Sequence, residues 1–206
     1  RMLSEAGHQA FPMLSELRSF AKNEELTAQS AVMCHHQKQP GSNARIERYV
    51  SQCYGIPEKF EDMVQLSQLV QADAIKTCTE HLRRNKARCN GILYWQLNDC
   101  WPAISWSSVD YDHGLKALHY ASKRFFAPCL VSLSGDVENL TVSVSNDSRE
   151  NVEYQLTYQL QNLDGCILYE QALNGTIPGA SCRDVLEICK PFGDDTEKDR
   201  QERLVY

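Results

Sequence analysis

The chain has 206 residues and a net charge of −6, with 42% hydrophobic and 23% charged residues. That is an ordinary soluble globular composition, with room for one to two domains. The largest basic cluster, Arg83-Arg84-Asn85-Lys86-Ala87-Arg88, reads as the polar end of a helix and falls short of the broad basic face that nucleic acid requires. No apolar stretch approaches the ~20 residues of a membrane span.

Residues 1–7, Arg1-Met-Leu-Ser-Glu5-Ala-Gly, read as a strand ending in a turn. Glu5 falls at the carboxyl end, where α/β barrels project their catalytic groups. A lone Glu there is equally a solvated surface group. Residues 8–57 form a long mixed connection, with short helices predicted around 13–20 and 44–52 and a loop at Pro40-Gly41-Ser42-Asn43. Pro57 opens a helix running to about Arg84, with Phe60, Met63, Val64, Ala74, Ile75, Cys78 and Leu82 on one face at helical spacing. Leu66 and Leu69 lie off that face, which predicts burial around much of its circumference.

A second strand over 91–96 runs into the densest stretch of the chain, Tyr94-Trp-Gln-Leu-Asn-Asp-Cys-Trp-Pro102, followed by Ser105-Trp-Ser-Ser108. All three Trp sit here, at 95, 101 and 106. Flat indole faces suit stacking on the C–H faces of a sugar; a strand end with Trp in the core is the alternative. Leu115, Leu118, Phe125 and Phe126 mark another amphipathic helix, ended by Pro128. This order, β-loop-α-β-loop-α, is the repeating unit of a parallel barrel.

After Pro128 the period changes to two. Leu140, Val142 and Val144 alternate with Thr141, Ser143 and Ser145. Val152, Tyr154, Leu156, Tyr158 and Leu160 alternate with polar residues, the pattern of antiparallel strands with one wet face. Asp164-Gly165 supplies a hairpin turn. The predicted organisation is α/β plus all-β: residues 1–128 as the last β/α units of a (β/α)8 TIM barrel, and 129–206 as an immunoglobulin-like β-sandwich, itself incomplete. A whole barrel takes about 250 residues and two parallel strands cannot bury both sheet faces. The expectation is a piece of a longer protein that needs the rest of its parent chain.

Ser4-Glu5-Ala6-Gly7-His8-Gln9-Ala10-Phe11-Pro12, then His35-His36, Leu93 through Asp99, Trp101-Pro102, Ser105 through Ser108, His119-Tyr120 and Lys123 through Pro128 together resemble the β-mannosidases of glycoside hydrolase family 2. The likeness runs from residue 1 to about residue 132, in order and spacing. Ala6 stands where the family usually has an aromatic, so the pocket wall beside Glu5 is expected to differ.

The resemblance implies a retaining exo-glycosidase acting on terminal β-mannosides. Such enzymes need two carboxyl groups about 5–5.5 Å apart, one attacking the anomeric carbon and one shuttling a proton. It assigns Glu5 as nucleophile. A nucleophile must be ionised, so Glu5 is expected among donors or positive charge, with Arg1, His8 and Gln9 as candidates. The family's acid/base Glu lies on an earlier strand, upstream of this chain, although Asp99 alone is a tempting partner. Trp95 is the expected platform beneath the sugar. Gln9, Asn98, Asp99 and Trp101 complete the candidate substrate-binding set, with a loop-capping role favoured for Asn98 and Asp99. Family 2 relatives such as β-galactosidase and exo-β-glucosaminidase are the alternatives, as is a non-catalytic carbohydrate-binding module.

No cofactor is called for. His35-His36 beside Cys34 invites a metal reading, but adjacent side chains diverge and no further ligand follows at helical spacing. Helix packing or loop anchoring is the default. Nine scattered Cys with no CxxC spacing argue against zinc and a disulfide scaffold and favour small reduced thiols in a cytoplasmic protein. Three sequons, at Asn139, Asn146 and Asn174, point to a secreted or lysosomal protein if used. Glu24-Glu25 and the 194–200 acidic-basic run read as solvated surface.

Overall fold

A computed structural model describes residues 1–136, 138–189 and 203–205. The chain divides into two units, one of Arg1–Leu82 with Arg88–Phe126 and the other of Arg83–Ala87 with Ala127–Tyr206. The 194–200 run lies outside the described residues.

The first unit mixes helix and parallel sheet. Strand β1 (Leu3–Ala6) pairs in parallel with β2 (Ile92–Tyr94), Leu3 opposite Ile92 and Ala6 opposite Tyr94, with an irregularity between. Between them run α1 (Leu14–Phe20), a 3-10 turn (Asn23–Glu25), α2 (Ala31–His36), α3 (Ser42–Tyr54) and the long α4 (Phe60–Arg84). The sequence reading lacked α2, which is only six residues long. Its Ser30 cap accepts a hydrogen bond from the Met33 amide at 3.3 Å, the capping chemistry that starts a helix. Gly55, at φ 80°, ends α3, a conformation that costs glycine least. Helix α5 (Ala117–Phe125) follows β2 and carries Lys123 and Arg124 in its last turn, where the helix dipole favours cations.

Two apolar clusters fill this unit. The larger joins Phe11, Leu17, Met33, Ile46, Val50, Met63, Val64 and Ile104, and the smaller joins Ala72, Ile75, Leu118, Ala121 and Phe125 with Tyr94 against it. Helix α4 contributes to both. Leu69 is exposed, while Ser67, Gln68, Gln71, Thr79 and Glu80 are buried. The wide burial expected around α4 is thus achieved by polar side chains, and those polar groups latch neighbouring loops.

The second unit contains two three-stranded antiparallel sheets. One has the order β3 (Cys129–Gly135), β4 (Asn139–Asn146), β7 (Ser181–Cys189), and the other β6 (Ile167–Ile177), β5 (Val152–Asn162), β8 (Arg203–Val205). The β5–β6 hairpin turns at Asp164-Gly165, with Gly165 at φ 84° and its amide donating to Asn162 O at 3.0 Å. Strand β5 alternates as expected. Strand β4 does not keep a wet face: Ser143, Ser145 and Asn146 are buried with Val142 and Val144. Ser143 donates to Asp184 at 2.6 Å and Ser145 to Cys182 at 3.2 Å.

The basic cluster does more than solvate a helix end. Arg83 is buried, donates to Ala127 O at 2.8 Å and Pro128 O at 3.2 Å, and pairs with Asp147 at 3.0 Å. Lys86 pairs with the same carboxylate. All nine Cys are free thiols, as expected, and Cys34, Cys53, Cys100, Cys129, Cys166 and Cys189 are exposed. Asn146 is fully buried and donates to Glu150 O, Ile177 O and Pro178 O, which leaves its sequon no free amide.

Candidate functional site

The geometry of the site begins with the β1–β2 pair. Side chains alternate across a strand. Tyr94 packs into the cluster formed by α4 and α5, so its neighbours Leu93 and Trp95 face the other way. Ala6 shares Tyr94's side in the parallel register, which turns Glu5 onto the same side as Trp95. The Trp95 amide donates to Ala6 O at 2.8 Å, tying the two carboxyl ends together. Glu5 is exposed and Trp95 is 49% exposed. Parallel sheets are ordinarily covered on both faces; here one face carries helices and the other presents a carboxylate beside an indole. The Trp95–Gln96 peptide is cis.

The donors expected around Glu5 are not met in this chain. Among the described residues its carboxylate has no hydrogen-bond or ion-pair partner. Arg1 is exposed. His8 turns Nδ1 to Gln9 O at 3.1 Å and packs on the Tyr49 ring at 5.1 Å. Burial pushes the His8 pKa down, against the smaller opposing pull of that backbone hydrogen bond, which favours the neutral ring.

Three other candidates make their contacts inside the protein. Gln9 is 7% exposed, and its Nε2 donates to Gln37 Oε1 at 2.6 Å. Gln37 passes the chain to Asn43 at 2.6 Å, and Asn43 to Ala28 O at 2.7 Å. Asp99 is 4% exposed. Its Oδ2 accepts from Ser105 at 2.7 Å and Ser107 at 2.5 Å, and its Oδ1 from Gln96 at 3.2 Å. Trp101 stacks on His36 at 5.0 Å, with the Lys38 ammonium 5.3 Å from its ring centre. His36 stacks in turn on Phe20 at 3.8 Å and donates to Pro102 O at 2.8 Å. That anchors the 100–102 loop and accounts for one of the paired histidines. Asn98 is exposed, its Nδ2 donating to Asp99 O at 3.2 Å. Of the named set, Glu5, Trp95 and Asn98 face solvent.

Behind this face lies a polar network that sequence reasoning missed. Glu16 is buried and accepts from the amides of Ala103 and Asp112, both at 3.1 Å. Asp110 accepts from Met13 N at 3.0 Å and Gly114 N at 2.5 Å. Lys116 is 0% exposed and donates to Ala10 O at 3.4 Å. Burial raises the Glu16 pKa to about 7. Burial lowers that of Lys116 to about 8, resisted by the charges of Asp99, Asp110 and Glu16. Gln71 of α4 donates to His8 O at 2.8 Å, Trp106 O at 3.1 Å and Ser107 O at 3.2 Å. Asp110 and Gly114, four apart, are the one local signal of this turn; nothing in the sequence marked Glu16 or Lys116.

Gly7 is required by close approach. A Cβ there would stand 2.7 Å from Trp95 O and 2.9 Å from Trp106 Cδ1, so the strand holding Glu5 lies directly against the Trp loop.

No family model matches the chain. A β-mannosidase of Capra hircus is 33% identical over 173 residues, covering 78% of this chain and 20% of its own length. β-Mannosidase B of Aspergillus niger is 38% identical over 137 residues, 65% of this chain and 16% of its own. The chain therefore spans about a fifth or less of the length of these relatives. A crystal structure of β-D-mannosidase from Dictyoglomus thermophilum superposes with TM-score 0.88 and 34% identity over 96% of this chain and 24% of that one. The exo-chitosanase CsxA of Amycolatopsis orientalis, at 19% identity and TM-score 0.77 over 98% of this chain and 26% of its own, shares the fold. By both sequence and fold, this is a β-mannosidase-like chain of glycoside hydrolase family 2.

Proposed function

We propose that this chain is part of a longer retaining glycoside hydrolase that releases terminal β-mannosyl residues from carbohydrate. In this reading β1 and β2 are the last strands of a (β/α)8 barrel and the second unit is an immunoglobulin-like sandwich. Glu5 is the nucleophile. It forms a covalent glycosyl ester as the leaving group takes its proton from an acid/base Glu upstream of this chain. Water activated by that same upstream group then releases the sugar with its configuration retained. Trp95 is the platform under the sugar being cleaved, and Asn98 is the nearby exposed amide available to a hydroxyl.

The observation that carries the reading is the position of Glu5 near the carboxyl end of β1 and of Trp95 just past the carboxyl end of the adjacent parallel strand β2. Parallel-barrel active sites are built at that end. The preference for mannose rests on relatives above 30% identity that are β-mannosidases.

The test is intact-mass analysis of the longer parent protein, before and after 2-deoxy-2-fluoro-β-mannosyl fluoride, with peptide mapping. A single adduct on the peptide containing Glu5, abolished by Glu5→Gln along with turnover, is expected. Thermal melting of the variant beside the parent separates loss of the nucleophile from loss of the fold. An adduct on another carboxylate, or near-normal turnover by Glu5→Gln, overturns the assignment.

A further inference from the structure

Beside the Glu5–Trp95 corner lies a separate pocket of about 120 Å³ in the first unit. Gly7, His8 and Gln9 form one wall, directly following the strand that carries Glu5; Arg45 and Tyr49 of α3 and the Trp106 ring form the others. Because Gly7 lies against both the Trp95 carbonyl and the Trp106 ring, the pocket shares a wall with the proposed site of cleavage.

Its chemistry is one-sided. Among the described residues no carboxylate lines it. Arg45 is exposed and, among the described residues, has no hydrogen-bond or ion-pair partner. One turn along the helix, the Arg48 guanidinium lies 5.2 Å from the Tyr49 ring centre and adds a second positive charge nearby. The nearest acidic residue in sequence, Glu47, is bonded by Gln29 at 2.6 Å. His8, with Nδ1 turned to Gln9 O, keeps Nε2 as an acceptor for a hydroxyl. Among the described residues the lining group with a fixed charge is therefore a guanidinium, whose planar fork matches a carboxylate bidentately. Trp106 and Tyr49 are aromatic walls suited to the C–H face of a pyranose ring.

We propose that this pocket is a leaving-group subsite for an acidic sugar, with Arg45 pairing its carboxylate and Trp106 and Tyr49 flanking its ring. The inference deepens the glycosidase reading and rests on it. A neutral sugar would fill the same aromatic slot but leave the guanidinium without its partner.

The test compares a β-mannosyl glucuronic acid with the matching β-mannosyl glucose, which differ only in carboxylate against hydroxymethyl, as substrates of the full-length parent enzyme. The acid should be favoured in kcat/KM by about tenfold at low salt, the size of one added charge-assisted contact, and less as ionic strength rises. Arg45→Gln should cut the acid's kcat/KM about tenfold more than the neutral sugar's, with Arg45→Lys restoring part of the difference. No preference for the acid, or equal losses for both substrates, overturns the proposal. If simple aryl β-mannosides are not turned over either, the β-mannosidase reading itself fails. Calorimetric titration with free glucuronate and free glucose then decides the pocket on its own. Glucuronate binding lost in Arg45→Gln sustains it; absent or equal binding of the two sugars overturns it.

Discussion

Loop 95–116 of the first unit and strand β4 of the second both bury polar side chains, yet they use them differently. In β4 the ladder to β3 and β7 already satisfies the backbone, and Ser143 and Ser145 add bonds to neighbouring side chains. Loop 95–116 has only isolated bridges, such as Asn98 to Val109 and Val109 to Leu115. Scattered backbone bonds, among them Gln96 N to Trp106 O, Ser108 N to Gln96 O and Lys116 N to Ser108 O, meet part of its backbone; side chains from elsewhere meet more of it, Glu16 taking two amides and Gln71 serving two carbonyls. A buried backbone group left unpaired is costly, so in the loop these side chains complete what the scattered backbone bonds begin, including at Trp106, whose carbonyl takes both Gln96 N and Gln71.

Lys116→Met should produce the largest effect. It removes the buried ammonium whose charge faces the buried carboxylates Asp99 and Asp110, and loss of a buried charge's partner costs about 3–5 kcal/mol. Urea unfolding of the longer protein would measure it; a neutral result would mean the network is not held by charge. Gln71→Ala should cost about 1–3 kcal/mol by orphaning carbonyls of His8, Trp106 and Ser107. Loosening should also appear locally, as faster amide hydrogen exchange over 105–108 with β4 unchanged. Ser143→Ala in β4 should cost about 1 kcal/mol or less, because its partner Asp184 is exposed and water replaces the hydroxyl. A cost equal to that of Gln71→Ala would erase the contrast between the two regions.

The subtlest expectation concerns pH. Glu16 has a folded pKa raised from 4.5 to about 7, so the folded state binds the proton more tightly than the unfolded chain. The group's contribution to stability is greatest below pH 4.5 and is lost as pH rises from there through about 7. Glu16→Gln should remove that downward slope from the stability profile. Gln offers one acceptor oxygen to two amides, so absolute stability falls as well; the slope, read from unfolding at several pH values, is the measurement that counts.

Much of the architecture was legible because it rests on periodicity. The long helix ending at Arg84, the two-residue alternation of β5 and the Asp164-Gly165 turn appear where patterning put them, although the helix begins at Phe60 rather than at Pro57. The exceptions have separate causes: α2 rests on its Ser30 cap, and β4 buries its serines through bonds to β7 side chains. On α4, Gln68 and Gln71 are buried because they hydrogen-bond backbone carbonyls of neighbouring loops. Within the site, Glu5 and Trp95 were legible from strand-end position. The inward turn of Gln9 and Asp99 was not, since their partners Gln37, Ser105 and Ser107 stand 28, 6 and 8 residues away.

The sequence by itself determined the longer elements, the change from helical and parallel organisation to antiparallel strands after Pro128, and the strand-end positions of Glu5 and Trp95, because hydrophobic period and turn chemistry are local properties of the chain. Only the tertiary structure decided which polar side chains became scaffold and which stayed open. Glu16, Asp99, Asp110 and Lys116 come from separated segments, and the low dielectric of a shared interior couples them only once those segments have met. That same assembly left Arg45 at the edge of a pocket without an acid.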